Sequence, residues 1–441
     1  MKVRFVTLGC KLNFAESSAL GRELLARGHQ KALQSEVPDV CVVNTCSVTD
    51  AADHKDRQAI NQLHRKFPNA IIIVTGCYAQ LQPEQVSKIE GVDYVLGQNE
   101  KYSITQLVDE LCDSLENGVP PIGRPTGYSL EAQKIRVGKI REVDEFHGVH
   151  SGDDRTRCFI KVQDGCNYFC TYCTIPYARG KSRNPLISEV VEDAQKAIQD
   201  GAKELILTGV NIGDFGRSTG ETFFDLLKAL DDLGDEAMRQ EAKGMDYRIR
   251  ISSCEPNLLT NEIIDFVAQS KHFAPHFHIP LQSGSNEVLK IMGRRYTREL
   301  FAERVRHIKE VMPHAFIGVD CMVGVRGETE AYWEDYLAFI KQLDVSQLHV
   351  FTYSERANTK MLEMDLYVVP KSERQRRSKI LHEVSEEKTK DFYAQHAGRK
   401  SVVLWESKKE GDQMAGFTDN YIKVYRPYEK AKVNTFEEIL L

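Results

Sequence analysis

The sequence predicts an α/β protein in three successive parts: an N-terminal parallel α/β domain, a central partial (β/α)6 barrel and a small C-terminal β-barrel. Three observations carry this reading. Short β-branched runs alternate with amphipathic stretches through the first 118 residues, six further strand and helix pairs occupy residues 156–370, and short alternating runs joined by polar turns follow Gly398. Strand and helix alternation is the pattern of parallel sheets, and short strands at close spacing that of small barrels. The expected division is 1–118 for the first domain, 119–155 for a linker, 156–370 for the barrel domain, 371–397 for a connecting helix and 398–441 for the terminal domain.

In the first domain, Val3-Arg-Phe-Val-Thr-Leu8, Asp39-Val-Cys-Val-Val-Asn-Thr45 and Ala70-Ile-Ile-Ile-Val-Thr75 read as strands buried on both faces. Each run ends at a cysteine: Cys10 after Gly9, Cys46 after Thr45 and Cys77 after Gly76. Parallel sheets bind ligands beyond the carboxyl ends of their strands, so these three cysteines are expected to converge. A 4Fe-4S cluster with one open iron is the natural reading of three such thiolates. Pro120, Pro121 and Pro125, with Gly118, Gly123 and Gly127, mark an extended linker.

The barrel strands are expected at 158–163, 204–208, 247–252, 276–281, 317–323 and 347–352. Six units are too few for an eight-stranded barrel but suit an open partial one. Cys166, Cys170 and Cys173 follow the first strand, on the face where barrels place active sites. Their C-x-x-x-C-x-x-C spacing lets three thiolates hold three irons of a second 4Fe-4S cluster, with the fourth iron open. Zinc is the bland alternative, but no second C-x-x-C is present to complete four ligands. Cys41, Cys112, Cys158, Cys254 and Cys321 read as small buried apolar residues.

A charged helix with Lys371, Arg374, Arg376, Arg377 and Lys379 near its start leads to the terminal domain. There Trp405, Phe417, Tyr421, Tyr425 and Tyr428 alternate with Lys423, Arg426, Lys430 and Lys432. Cations beside aromatic faces suit a nucleic-acid backbone and unstacked bases. A solvated face over an aromatic core has the same pattern.

Composition limits the function classes. With 41% hydrophobic and 28% charged residues the chain is an ordinary folded protein. No apolar run reaches the roughly 18 residues of a membrane span, and the N-terminus runs into a strand without a signal-peptide core. Eleven cysteines, an odd number, fit a reducing compartment and metal ligation. The expectation is a cytoplasmic protein with no membrane partner. A net charge of -6 excludes a generally basic coat but not a local basic face.

With both triads in place, the chain resembles the radical S-adenosylmethionine methylthiotransferase family along essentially its whole length. The matching motifs are Thr7-Leu-Gly-Cys10-Lys-Leu-Asn13, Val43-Asn-Thr-Cys46, Thr75-Gly-Cys77, Ile175-Pro-Tyr-Ala-Arg179-Gly180, Leu207-Thr-Gly-Val-Asn211 and Ile279-Pro-Leu-Gln282-Ser-Gly-Ser285. The resemblance implies a methylthiotransferase domain, a radical domain and a C-terminal TRAM domain. Gly9-Cys-Lys-Leu-Asn13 is similar to the branch acting on N6-threonylcarbamoyladenosine in tRNA; the isopentenyladenosine branch has glutamine at Lys11 and the ribosomal-protein branch proline. Lys11 is one residue type, and also what a surface lysine looks like. Gly324-Val-Arg-Gly-Glu-Thr329 departs from the family's Gly-Phe-Pro-Gly-Glu-Thr. Arg326 is therefore a candidate substrate contact, able to pair with the threonylcarbamoyl carboxylate, although a loop-surface arginine is the simpler reading.

The chemistry implied replaces an unactivated aromatic hydrogen with sulfur, which no acid, base or side-chain nucleophile readily does, so cofactors carry the hard step. By resemblance, the Cys166, Cys170 and Cys173 cluster cleaves S-adenosylmethionine to a radical while the N-terminal cluster presents a methylated sulfur. Tyr172, Gly209, Asn211, Gln282 and Ser283 are the expected S-adenosylmethionine contacts; each also reads as a loop hydrogen-bonding residue. Lys423, Arg426, Lys430 and Lys432 are the expected tRNA contacts. Implied partners are the tRNA anticodon stem-loop, an electron donor such as flavodoxin or ferredoxin, and a sulfur donor. The alternatives are a methylthiotransferase acting on isopentenyladenosine or on a ribosomal protein, and a non-catalytic iron-sulfur RNA-binding regulator.

Overall fold

The computed structural model describes residues 1–116, 134–152, 156–239 and 247–441. Six strands form the first sheet: β1 (Lys2–Thr7), β2 (Gln30–Lys31), β3 (Val40–Thr45), β4 (Ile71–Gly76), β5 (Val92–Leu96) and β6 (Ile135–Arg136), all parallel in the order β2-β1-β3-β4-β5-β6. Every residue of β3 and β4 is buried, because helices cover both faces. Val40, Val42, Ile71 and Ile73 face Leu20, Leu24, Leu107 and Leu111, whereas Cys41, Val43, Ile72 and Val74 face Ile60, Leu63 and Val86. Each such fully buried aliphatic side chain contributes about 1.5–3 kcal/mol.

The proline and glycine cluster of the expected linker lies outside the described residues, as does the boundary at 118. Within 134–152, Ile135 and Arg136 pair with Val95 and Leu96 as the edge strand of the first sheet. Two residues carry too little pattern to be read as a strand.

The central domain has β7 (Arg157–Lys161), β8 (Glu204–Thr208), β9 (Arg248–Ile251), β10 (His276–Gln282), β11 (Phe316–Val323) and β12 (Gln347–Thr352). They form two parallel three-stranded sheets joined by bridges from Ser253 to His278 and from Ile249 to Phe273, an open six-stranded barrel as expected. Alternation separates its two faces. Ile160, Leu205, Leu207, Ile249, Ile279 and Val319 pack outward under the helices. Arg157, Glu204, Arg248, Arg250, His276, His278, Asp320 and His349 point inward, so the lumen is polar.

The helix Lys371–Gln395 is more than a connection. Leu381 and Val384 enter the barrel core, and Ser385 Oγ bonds both Leu348 N and Leu348 O on β12. The last strands, β13 (Lys400–Glu410), β14 (Gln413–Thr418), β15 (Lys423–Pro427) and β16 (Phe436–Leu440), form an antiparallel sheet in the order β15-β14-β13-β16. This sheet sits beneath the amino ends of the barrel strands. Arg248 and Arg250 donate to the carbonyls of Phe417 and Asp419 at 2.9 and 3.1 Å, and Arg157 pairs with Glu406 at 2.8 Å. No helix among the described residues is long and apolar enough to cross a membrane.

Candidate active site

Two tight backbone turns place the N-terminal cysteines. Gly9 has φ +93° and Gly76 φ +100°; a Cβ on Gly9 would stand 2.5 Å from Cys46 Cβ, and one on Gly76 2.4 Å from the Thr45 carbonyl. Only glycine tolerates both the left-handed φ and the approach. Cys10, Cys46 and Cys77 thus meet at the ends of β1, β3 and β4, near enough for each to feel the others' charge. Burial pushes the Cys46 thiol up to about 12, with Cys77 adding to it. Gln98 Nε2 lies 3.2 Å from Cys77 Sγ, and Asp56 accepts from the Cys46 amide at 3.0 Å.

Beside this triad lies a buried ion network that residue patterns did not reveal. Arg179 reaches Glu16 and Asp164, both at 3.0 Å, and Asn13 Oδ1 at 2.6 Å; Lys101 pairs with Glu16 at 2.5 Å and Lys161 with Asp164 at 2.8 Å. Burial works against ionisation of Glu16, but Arg179, Lys101 and Lys161 outweigh it and hold the carboxyl well below the usual range. The network ties the first domain to the barrel. Its surplus cation also lowers the Cys77 thiol against the larger upward push of burial. The only sequence signal for Arg179 and Asn13 was their place in the matched motifs.

The second triad sits in the loop after β7. Cys170 is buried, Cys166 and Cys173 half-buried. Arg294 donates to Cys170 Sγ at 3.2 Å and to the Tyr172 hydroxyl at 3.4 Å while paired with Glu255. Neither Arg294 nor Glu255 stood out in the sequence. Burial raises Cys166 to about 11 and Cys173 to about 12. These thiols are neutral until a metal displaces their protons.

Each triad offers three thiols, the usual protein ligands of an iron-sulfur cluster. Among the described residues, the ligand atoms of His278, Asp320 and His349 lie within 4.8 Å of one another. Asp320 itself already has both imidazoles at hand, His278 Nε2 at 2.9 Å and His349 Nδ1 at 3.4 Å. The barrel mouth also fits a polar cofactor. Both amide atoms of Asn211, Gln282 Oε1, Asp214 Oδ2 and Asn257 Oδ1 are buried without a hydrogen-bond partner, and buried polar atoms normally have one. Val210 N and Asn211 N are held by Gln163 Oε1 at 3.0 and 2.8 Å, and Gly209 leaves no room for a Cβ, which would lie 2.9 Å from the Gln163 carbonyl.

Of the other expected contacts, Tyr172 packs its ring among Val288, Met292 and Val325, and Ser283 is fully buried, accepting from Ser285 N. Arg326 is engaged by Glu355 at 2.9 and 3.0 Å. In the last domain Trp405 is core and Phe417 stacks on Tyr421, while Tyr425 is exposed. Lys423 pairs with Glu410, Arg426 with Glu429 and Glu437, and Lys432 with Glu437. Among the described residues Lys430 alone of the four has no partner. The basic start of the long helix is likewise paired, Arg376 and Arg377 with Glu330 and Glu373.

Comparison with known proteins agrees with this geometry. Residues 2–97 match the family model described as "Uncharacterized protein family UPF0004", and residues 160–340 match the Radical SAM superfamily. The threonylcarbamoyladenosine tRNA methylthiotransferase MtaB of Bacillus subtilis is 36% identical over 431 residues, covering 96% of this chain and 89% of that one. The chain belongs to the radical S-adenosylmethionine methylthiotransferase family. The MtaB of Aquifex aeolicus is 34% identical, with 97% of each covered, and a tRNA-2-methylthio-N(6)-dimethylallyladenosine synthase of Pelotomaculum thermopropionicum is 31% identical. Among solved structures, the radical S-adenosylmethionine methyltransferase TsrM of Kitasatospora setae, with cobalamin and a [4Fe-4S] cluster bound, shares the fold at TM-score 0.53 and 16% identity, covering 82% of this chain and 77% of that one. The two triads of this methylthiotransferase therefore sit where its two matched regions meet.

Proposed function

We propose that this chain adds a methylthio group to carbon 2 of N6-threonylcarbamoyladenosine beside the anticodon of tRNA. The observation that carries it is near full-length identity of 32–36% to five proteins named for that reaction, against 29–31% for three of the dimethylallyladenosine branch. When bound, a 4Fe-4S cluster at each triad with S-adenosylmethionine supplies a reductively generated radical and a sulfur carrier. The chain's own residues do the rest. The Asn211 and Gln282 side chains present unmet hydrogen bonds to the amino-acid part of S-adenosylmethionine, and Gln163 fixes the backbone of Val210 and Asn211 beside them. Arg294 holds positive charge against the Cys170 thiolate, and Tyr172 closes the loop against the apolar cluster beneath it. Arg179 and its carboxylates keep the two triads at a fixed separation. A one-electron donor such as flavodoxin or ferredoxin and a sulfur donor complete the partners, and a tRNA substrate places the reaction in the cytoplasm.

Anaerobically reconstituted protein should hold about eight irons and lose about four when either triad is replaced by alanine. Loss of Cys166, Cys170 and Cys173 should abolish 5'-deoxyadenosine formation. Loss of Cys10, Cys46 and Cys77 should leave that cleavage but no methylthio product. Undiminished iron after replacing the N-terminal triad, or unchanged methylthio-nucleosides in tRNA from a deletion strain, would overturn the assignment.

A further inference from the structure

Three side chains on neighbouring barrel strands converge on one point in the lumen, and neither cysteine triad nor the cofactor mouth uses them. Asp320 of β11 stands opposite His349 of β12, and His278 of β10 is two residues before Pro280, the β10 partner of Asp320. A period of two puts all three on one face of the sheet. His278 Nε2 lies 2.9 Å from Asp320 Oδ1 and 3.0 Å from His349 Nδ1, and His349 Nδ1 lies 3.4 Å from Asp320 Oδ1.

Hydrogen bonds alone do not account for this triangle. A neutral imidazole nitrogen either carries a proton or offers a lone pair, never both. If His278 Nε2 donates to Asp320 it has no lone pair for His349, and if it accepts from His349 it meets the carboxylate lone pair to lone pair. At least one side is always mismatched. A cation between the three atoms matches every side. Ligands about 2.0–2.1 Å from a metal, the length of its bonds to imidazole and carboxylate, stand about 2.9 Å apart at right angles and about 3.4 Å apart at the tetrahedral angle. The observed separations span that range.

The surroundings suit an ion as well. Ser253 Oγ is hydrogen-bonded to His278 Nδ1, which orients the ring and leaves Nε2 for a metal, as partners of ligating imidazoles do. The His278 and Asp320 side chains are 16% exposed and that of His349 41%, so the ligands are largely out of water while one side stays open for entry. Cys321, the adjacent residue, lies in the apolar core on the other face of β11. Two imidazoles and a carboxylate without a thiolate are a ligand set of zinc or iron(II).

We propose that His278, Asp320 and His349 bind one divalent metal ion of the zinc or iron(II) class, a centre separate from both cysteine triads, with water in its remaining positions.

The test uses anaerobically reconstituted holoenzyme, whose triads are filled by clusters, and zinc as the probe. The protein is washed with EDTA, loaded with zinc and gel-filtered; zinc and iron are counted by elemental analysis, and zinc affinity is measured by competition with a fluorescent chelator. Wild type should retain a single zinc per chain with its cluster iron unchanged. His349→Ala and Asp320→Ala should weaken zinc by about 100-fold or more, and Ser253→Ala by about 10–100-fold, the usual effect of losing a partner of a ligating imidazole. X-ray absorption at the zinc edge of wild type should show only nitrogen and oxygen at about 2.0–2.1 Å. That spectrum needs no variant, so a substitution that prevents folding leaves the test standing. A sulfur shell at about 2.3 Å would put the zinc on cysteines and overturn the proposal. So would a wild type that retains no zinc, or an unchanged affinity in folded His349→Ala, either of which would leave the three side chains a hydrogen-bonded cluster only.

Discussion

At the residue scale, the chemistry depends on groups whose charge is set by neighbours distant in sequence. Glu16 and Asp164 are ionised inside the protein only because Arg179, Lys101 and Lys161 surround them. Replacing one member of such a buried set leaves an uncompensated charge, which costs about 3–5 kcal/mol. Arg179→Gln should therefore lower the urea midpoint of the holoprotein strongly. Lys400→Ala, which removes an exposed pair with Glu438, should leave it in place, since such surface pairs contribute little. Equal midpoints for both variants would show that the network does not hold the two domains together.

At the element scale, the terminal sheet is less basic than its composition. Alternation along β14 and β15 puts aromatics and cations side by side, but Glu410, Glu429 and Glu437 neutralise Lys423, Arg426 and Lys432. Among the described residues Lys430 has no carboxylate partner and can neutralise a phosphate. Lys430→Ala should reduce the salt slope of tRNA binding by about one and weaken all substrate tRNAs alike. Lys423→Ala should change the slope less, because Glu410 competes with the phosphate for that ammonium. Titrations of tRNA binding against salt check this, and a larger effect for Lys423 would reassign the contact surface.

At the scale of the whole molecule, the barrel and the terminal sheet meet at a buried histidine. His276 stacks on Phe316 with ring centres 5.3 Å apart and lies 4.9 Å from Tyr421. Burial holds its pKa well below the usual value, and Arg250, Lys11 and His278 push the same way. The unfolded chain then binds a proton near pH 6.5 that the folded chain refuses. Stability should be lost as pH falls below about 6.5, by up to about 1.4 kcal/mol per pH unit, until the depressed folded pKa is reached. Thermal melts of wild type and His276→Phe between pH 5 and 7.5, a range of roughly two units around the histidine pKa, should show that slope in wild type and a flatter one in the variant. Removing the terminal sheet would also expose Arg248 and Arg250, so truncation after Lys400 should destabilise the barrel as well as weaken tRNA binding.

The sequence by itself determined the two cysteine triads, the parallel α/β order and the six-unit barrel. These follow from local signals: a period of two or 3.6, a strand ending in a cysteine, and a spacing of three or two residues between thiols. Cys41, Cys158, Cys254 and Cys321 are buried, as a mid-strand or apolar setting implied, whereas Cys112, read the same way, is only half-buried on its helix. Only the tertiary structure decided which charged residues are free. Arg326, Arg426 and Lys432 look alike in sequence to Lys430, but carboxylates 3 to 29 residues away occupy the first three. It also showed Arg179 bridging 163 residues to Glu16 and Arg294 bridging 124 to Cys170. The physical reason is range: hydrophobic periodicity is written into neighbouring residues, whereas the partner of a charge is chosen by whichever strands the fold brings together.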